Sequence, residues 1–473
     1  MKGILLVIIV LVLSLYSMAQ VNDSINNHAY IVNSIDLIGN KVTNDEVILR
    51  EMEFEAGDTI SASEFYTILA HSRRNILSRS IFNFAEYEVQ PLSDTSNDYY
   101  QPVDVIFNLT ERWYVWPIPY LKVADRNFNA WLEKMDFRRL SLGFYLNHCN
   151  LGGNINRLYL TSIFGYNQDF GLTFECPYLD KKMNFGMGIG GGFKRDREVA
   201  YGTIADKLQY FESPNDFAAR SYYLQLSLQY YNGFHNRHHL NLEFRNISFS
   251  DSLAALNPDF GNADGNCFKY FVISYIYKND YRDDRSYPLD GHYFDLELTK
   301  YGLGMFRYTP NSFSVKTAFD WYTPIKERFY WASNITLKLT AMNDMLYFVS
   351  QGYGYQSDVI RSLELYCIDG KHFAISKNNL KYCLMRPKVF NVPLGRDERF
   401  FKLHFAVYCN LFLDAGYVFS EQPSLASTLQ NRFLYGGGFG FDFVTYYDKV
   451  MRIEYSVNML GESGLFLSFV API

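Results

Sequence analysis

The chain has 473 residues, 39 of them Tyr and 40 Phe, and a formal net charge of −6. That mild acidity argues against a nucleic-acid partner, since no basic patch is interleaved with the aromatic residues to track a phosphate backbone. The six cysteines (Cys149, Cys176, Cys267, Cys367, Cys383, Cys409) show no CxxC spacing. About fifteen pairings are open to them and the sequence selects none, so mostly free thiols are expected.

An export signal opens the chain. Lys2 precedes the apolar run Ile4–Leu15, and Ser17-Met18-Ala19 supplies small residues for cleavage before Gln20. No lipobox cysteine follows. Residues 1–19 are therefore expected to be a signal peptide and 20–29 a linker. Residues 30–112 read as a small soluble α+β domain. A strand, Val32–Ile38, ends in Gly39-Asn40, and Thr43-Asn-Asp-Glu46 is a capping box for a helix running to about Glu53, with Gly57 ending that region. Ser61-Ala-Ser-Glu64 is a second capping box, for a helix that buries Phe65, Leu69 and Ile76. Strands Phe84–Gln90 and Val103–Leu109 complete a β-α-α-β-β order.

From 113 to 473 the pattern changes to period-two alternation. Tyr223-Leu-Gln-Leu-Ser-Leu-Gln-Tyr230, Phe294-Asp-Leu-Glu-Leu298 and Arg452-Ile-Glu-Tyr-Ser-Val457 each place apolar groups on one strand face and polar groups on the other. No stretch after residue 20 is long and apolar enough to span a bilayer as a helix. Alternation over this length, abundant aromatics and an export signal together predict an all-β transmembrane barrel of about 16 antiparallel strands, the first at Trp113 and the last at Gly464. An even count places the soluble domain and both barrel ends in the periplasm. The long loop at 343–371 is then on the outer side and the turn Arg282–Gly291 on the periplasmic side.

Few residues suggest chemistry. Gly186-Met-Gly-Ile-Gly-Gly191 fits GxGxxG in form, but its glycines alternate within a strand and no helix follows, so a strand is expected. Gly436-Gly-Gly438 and Gly440 read as close-packing positions in a barrel wall. His235, His238 and His239 near Glu243 could be a zinc site or a solvated turn, the turn weighing more. There is no GxSxG, HExxH or Walker motif. Neither enzyme activity nor a cofactor nor a metal is expected. Pro117 and Pro119 carry more information: lying two apart, they remove two backbone donors from one edge of the first barrel strand. Either that edge is the weak closure of the barrel, or the prolines precede the paired region. At the other end, Gly464-Leu-Phe-Leu-Ser-Phe469 turns Leu465, Leu467 and Phe469 outward.

Together these parts resemble the BamA/TamA family of outer-membrane assembly proteins, also called the bacterial surface antigen family. Ile35-Asp-Leu-Ile-Gly-Asn-Lys-Val-Thr43, Ile48-Leu-Arg-Glu51 and Phe54-Glu-Ala-Gly-Asp58 are similar to the pattern of a single POTRA domain. Ala124-Asp-Arg-Asn-Phe-Asn129, Asn150-Leu-Gly-Gly153, Asp280-Tyr-Arg-Asp283 with Tyr287-Pro288 and Gly291, and Leu413-Asp-Ala-Gly416 resemble the family's barrel segments in order. The family's loop motif, Val/Ile-Arg-Gly-Tyr/Phe, aligns with Ile360-Arg361-Ser362-Leu363, which keeps the Arg but neither the Gly nor the aromatic. The resemblance implies a lumenal clamp between Arg361 and Asp414. It also implies that Lys381 stands where the twelfth strand often has an acid, so the clamp is expected to be weaker or differently wired. The terminal segment resembles the recognition signal of outer-membrane barrels. The resemblance further implies a lateral gate at the seam, here Pro117 and Pro119 against Gly464 and Phe469.

The expected function is therefore outer-membrane protein assembly: insertion or translocation of clients through a barrel seam, with the POTRA domain docking unfolded clients or periplasmic partners and the barrel contacting outer-membrane lipids. The alternative is a structural or accessory barrel subunit without insertase activity. A passive pore is disfavoured by a lumenal loop.

Overall fold

The computed structural model describes residues 29–79, 81–92, 99–123, 140–180, 182, 184–262, 265–344, 346–349, 353–354, 358–391, 402–420, 427–445 and 449–470. Residues 1–28, where a signal peptide and most of a linker are expected, lie outside the described residues, as do the segment 124–129 and residues 471–473.

The first domain runs β1 (Ala29–Ile38), α1 (Asp45–Leu49), β2 (Thr59–Ser61), α2 (Ala62–Ser78), β3 (Phe82–Pro91) and β4 (Tyr100–Glu111). Its sheet has the order β2-β1-β4-β3, with β1 and β4 parallel. Apolar residues of the sheet (Val32, Val103, Val105, Phe107) close on Phe65, Leu69 and Ile76 of α2, which recur at helical spacing and form the core. Two details differ from the sequence reading. The three-residue β2 pairs with Ala29–Ile31 and is too short to show periodicity. The first helix starts after Asn44 and spans only Asp45–Leu49, because the Thr43 hydroxyl is engaged elsewhere. It donates to Glu111 at 2.8 Å and accepts from Asn150 at 2.9 Å. The second box is placed as expected, with Ser61 at the N-cap, but its hydroxyl meets Glu64 at 3.1 Å rather than a backbone N–H.

The second part is one antiparallel sheet of sixteen strands. In order these are β5 (Val115–Val123), β6 (Leu140–Leu151), β7 (Asn156–Gly165), β8 (Gln168–Cys176), β9 (Phe185–Asp196), β12 (Ala219–Asn232), β13 (Asn236–Phe249), β14 (Cys267–Asp280), β15 (Gly291–Tyr301), β16 (Asn311–Lys326), β17 (Phe329–Asp344), β18 (His372–Asn391), β19 (Lys402–Phe419), β20 (Phe433–Val444), β21 (Val450–Asn458) and β22 (Ser463–Val470). Between β9 and β12, β10 (Glu198–Ile204) and β11 (Lys207–Glu212) form a separate hairpin that sequence alternation did not reveal. The sheet is a β-barrel turned inside out relative to a soluble sheet protein. Leu224, Leu226 and Leu228 of β12 are exposed on one face, while Gln225, Ser227 and Gln229 alternate with them on the half-covered other. An apolar outer surface with a polar interior is stable only where lipid replaces water outside. No helix among the described residues is long and apolar enough to cross a membrane. The glycines of β9 lie opposite bulky neighbours: a Cβ on Gly190 would come within 2.5 Å of Thr173 Oγ1, so this run is barrel wall.

The two parts are docked. The β6–β7 turn, Asn150-Leu-Gly-Gly153 and onward, inserts into the first domain. Gly153 has φ +77° and accepts from Asn44 N–H at 3.0 Å, and a Cβ there would lie 2.3 Å from Val42 O. Asn150 accepts from Ile155 N–H at 2.8 Å, holding Ile155 at φ +58°. That conformation is unfavourable for a β-branched residue; here the Ile155 side chain joins the first domain's hydrophobic core. Farther along, Glu51 takes Arg79 at 2.7 Å and Arg50 at 3.2 Å, and Tyr178 of the β8–β9 turn donates to Glu51 at 3.3 Å. Burial pushes the Tyr178 hydroxyl up to about 12, which keeps it a donor. Arg285 of the β14–β15 turn reaches Ser78 O at 3.2 Å. Burial, and then the charges of Arg237 and Arg79, hold Arg285 down to about 9.

Replacing Ile155 with Ala should cost the first domain about 2–5 kcal/mol by emptying its core contact. Hydrogen exchange of Val103–Leu109 in the full chain is the measurement. Unchanged protection there would show that the turn does not stabilise that core.

Candidate functional site

Two features concentrate polar chemistry: the lumen beside β18–β21 and the open edge between β5 and β22. The lumen is entered from the side opposite the first domain by the β17–β18 connection. Its tip folds inward because Ile360 and Leu363, both fully buried, pack with Tyr353, Phe373, Ile375 and Leu434. The Tyr353 hydroxyl accepts from Ile360 N–H at 2.8 Å, and Lys316 pairs with Asp358 at 2.7 Å from the opposite flank.

Arg361 is thereby delivered to the wall. Its Nε and Nη2 bond to the two oxygens of Asp414 in β19, at 2.8 and 2.5 Å, and its backbone N–H adds a third contact at 3.2 Å. Nη1 donates to Asn379 at 2.7 Å and lies 3.4 Å from Glu454. Phe412 packs its ring under the guanidinium at 4.0 Å. Asp414 is fully buried, so a forked partner is what makes its charge tolerable. The twelfth strand thus contributes a neutral acceptor, Asn379, and the second carboxylate comes from β21. Lys381 lies elsewhere, its Nζ 4.3 Å from the Tyr287 ring centroid and 5.7 Å from that of Tyr322.

The sequence reading missed the continuation of this network. Arg452 binds Asp442 at 2.7 Å and lies 3.7 Å from Glu454. Asp442 in turn accepts from the Tyr287 hydroxyl at 2.8 Å. Tyr287 is presented by the β14–β15 turn, which Asp283 closes by accepting from the backbone of Asp284, Leu289 and Asp290. The same turn is braced by the forked Asp280–Arg282 pair at 2.8 and 3.0 Å. Paired charges therefore link the inserted loop to the turn on the domain side. The alternation in Arg452-Ile-Glu454 was a usable clue, since it puts both side chains on one face.

The two departures from the loop motif also have a structural answer. Ser362, in the place of the motif's Gly, projects against Gly436 of β20: a Cβ on Gly436 would lie 1.6 Å from Ser362 Oγ. Leu363, in the place of the motif's aromatic, is fully buried in the loop's apolar cluster.

Pro117 and Pro119 lie inside a paired strand, opposite Leu146 and Phe144 of β6, so they do not precede the paired region. Cys149 N–H donates to Tyr114 O at 2.9 Å, one step beyond the Val115–His148 pair. Hydrogen-bonded pairs alternate in an antiparallel ladder, so Val115, Pro117, Pro119 and Leu121 direct their backbone away from β6, to the open edge. At the other end, Gly464 and Phe469 of β22 pair with Ser456 and Met451 of β21. Among the described residues no ladder joins β5 to β22.

The remaining candidates disperse. His235 bonds to Asp280 O and His238 to the Tyr275 hydroxyl, while Glu243 pairs with Arg245. Among the described residues no group of three His, Cys, Asp or Glu could hold a metal ion. All six cysteines are free thiols.

A β-α-β-α-β-β domain docked on a sixteen-stranded, loop-plugged barrel defines a narrow class. Residues 30–112 match the POTRA family model, described as surface antigen variable number repeat. The fold is similar to BamA from Haemophilus ducreyi lacking POTRA domains 1–3, at 14% identity and TM-score 0.50, covering 93% of this chain and 83% of that one. Matches to CdiB from Acinetobacter baumannii (11% identity, TM-score 0.46, 93% of this chain, 73% of that one) and CdiB from Escherichia coli (11%, 0.46, 97%, 91%) are more distant in shape. No curated protein sequence matches the chain. The chain thus carries a POTRA domain at residues 30–112, joined to a β-barrel whose fold is similar to that of BamA.

Replacing Arg361 with Ala should strip Asp414 of its forked partner, leave Glu454 with Arg452 alone, and cost about 3–5 kcal/mol, loosening the loop while the barrel still forms. Gly436→Ala should cost about 1–3 kcal/mol by overpacking against Ser362, and adding Ser362→Gly should restore most of it. Thermal unfolding of the purified barrel, with proteolysis of the 343–371 loop, measures both. Simple additivity of the Gly436 and Ser362 changes would refute the close-packing account.

Proposed function

We propose that this protein assembles outer-membrane proteins, inserting or translocating client polypeptides at the seam between β5 and β22, with its POTRA domain in the periplasm. What supports this reading is the edge of β5, which no ladder among the described residues joins to β22. Two of its backbone positions, Pro117 and Pro119, face the seam and cannot donate. Each bond absent from a seam ladder lowers the cost of parting it by roughly 0.5–1.5 kcal/mol, so a client strand can compete for that edge. No bond chemistry is involved, and no enzymatic activity is proposed. The driving force is client strand pairing and burial of apolar side chains in lipid.

Client capture fits the POTRA sheet. β3 stands at its edge and pairs only with β4 among the described strands, leaving a template for β-augmentation by an unfolded client or a periplasmic partner. A passive pore fits poorly, because Ile360–Leu363 and the charges around Arg361 fill the lumen beside β18–β21. The second reading, an accessory barrel that scaffolds a complex, is favoured by the firm docking of the POTRA domain through Ile155 and Glu51.

Cysteines scanned along Val115–Val123 and Ser463–Val470, in a chain freed of its own thiols, should cross-link across the seam. Locking it should deplete other barrels from the outer membrane, as depletion of the protein itself should. Normal outer-membrane composition with the seam locked would reject the insertase reading and leave the scaffold.

A further inference from the structure

The hairpin β10–β11 stands outside the barrel sheet, and its tip does more than join two strands. Ala205 and Asp206 have φ +49° and +58°, the two-residue turn with both φ positive that Asp tolerates. Asp206 is only 1% exposed. Its carboxylate accepts from the Ser427 hydroxyl, from Thr428 N–H at 2.7 Å and Oγ1 at 2.9 Å, and from Leu429 N–H at 3.1 Å. Its carbonyl accepts from Cys367 N–H at 2.8 Å. On either side, Thr203 donates to Asp369 at 2.5 Å and the Lys207 ammonium lies 5.3 Å from the Tyr366 ring centroid. One hairpin tip thus gathers the β19–β20 loop and the β17–β18 loop, the loop that carries Arg361.

The contacts continue to the last strand. The Tyr366 hydroxyl bonds both oxygens of Glu462, at 2.8 and 2.9 Å. Asn458 donates to Glu462 at 2.9 Å and to Ser362 O at 3.1 Å, and accepts from Leu460 and Glu462 N–H. Asn458–Glu462 is the turn joining β21 to β22. Burial, and then its bond to Glu462, push the Tyr366 hydroxyl up to about 12, so it stays a donor. These bonds to the Asp206 side chain all come from neutral groups. Water can replace each of them around a released carboxylate, which suits a reversible closure better than a permanent strut.

We propose that Asp206 is the latch of a lid: the β10–β11 hairpin closes the mouth opposite the POTRA domain and, through Tyr366 and Glu462, holds the β21–β22 turn, so that releasing Asp206 frees the last strand. The seam reading is needed only for what the freed strand then does.

The test uses the full chain folded in lipid vesicles, comparing wild type with Asp206→Ala. Cys367 lies beneath the latch, with its thiol bonded to Gly354 O at 3.2 Å. Its alkylation by a hydrophilic maleimide, read peptide by peptide, should accelerate at least on the order of tenfold, which corresponds to about 1.4 kcal/mol. Cys383, buried in β18 on the POTRA side, should not change. Hydrogen exchange at residues 458–467 should accelerate in the same variant. If Asp206→Ala fails to fold, Thr428→Val removes one bond and should give smaller changes in the same places. Unchanged Cys367 reactivity in a folded variant overturns the latch, and faster Cys367 with unchanged exchange at 458–467 overturns its link to the last strand. Neither readout depends on assembly activity. A locked seam that still assembles clients would therefore reject the seam reading and leave the latch standing.

Discussion

The Arg361–Asp414 pair is the interaction on which the inner architecture turns. A guanidinium carried into a barrel on a loop, and a carboxylate buried in the wall, are each costly alone and tolerable only together. Keeping them in register requires much of what surrounds them. Ile360 and Leu363 anchor the loop in an apolar pocket. Gly436 leaves space for Ser362, and Glu454 and Asn379 take the remaining guanidinium donors. The network then extends through Arg452 and Asp442 to Tyr287. Because these contacts fall on β18–β21, the part of the wall beside β22 is tied together by buried charge. The first strands carry no equivalent among the contacts described here. The barrel is thus internally braced on one side of the seam.

The sheet was legible from sequence because its physical cause is local. An interior that faces water and an exterior that faces lipid impose a period of two on every strand, and each strand states that period in its own residues. Helix α2 was legible for the same reason, through Phe65, Leu69 and Ile76. What escaped depended on residues far apart in the chain. Thr43 looked like a helix cap because its partners, Glu111 and Asn150, lie 68 and 107 positions away. Asp206 carried no signal in the sequence, because its partners Ser427 and Thr428 are 221 and 222 positions away. The Arg361–Asp414 pairing was anticipated only through a family resemblance; nothing in the local pattern selects Asp414 over Asp442. The replacement of an acid by Lys381 was visible as a departure, but its partners, the rings of Tyr287 and Tyr322, were not.

Pro117 and Pro119 show how a local property acquires meaning from register. Two prolines in a strand remove two donors wherever they lie. The Cys149–Tyr114 bond decides that these two fall on the edge away from β6. The strand can thus be fully paired with β6 and poorly equipped on its other side.

Ile155 belongs by sequence to the barrel and by packing to the POTRA domain. The POTRA segment precedes the barrel in the chain, so it is free to fold first, yet its core is complete only once the turn between the second and third barrel strands has formed and swung Ile155 into place. Completion of the domain's core is therefore coupled to formation of that barrel turn. Until that turn has formed, the domain lacks the Ile155 side chain in its core, a mark by which an immature chain differs from a finished one.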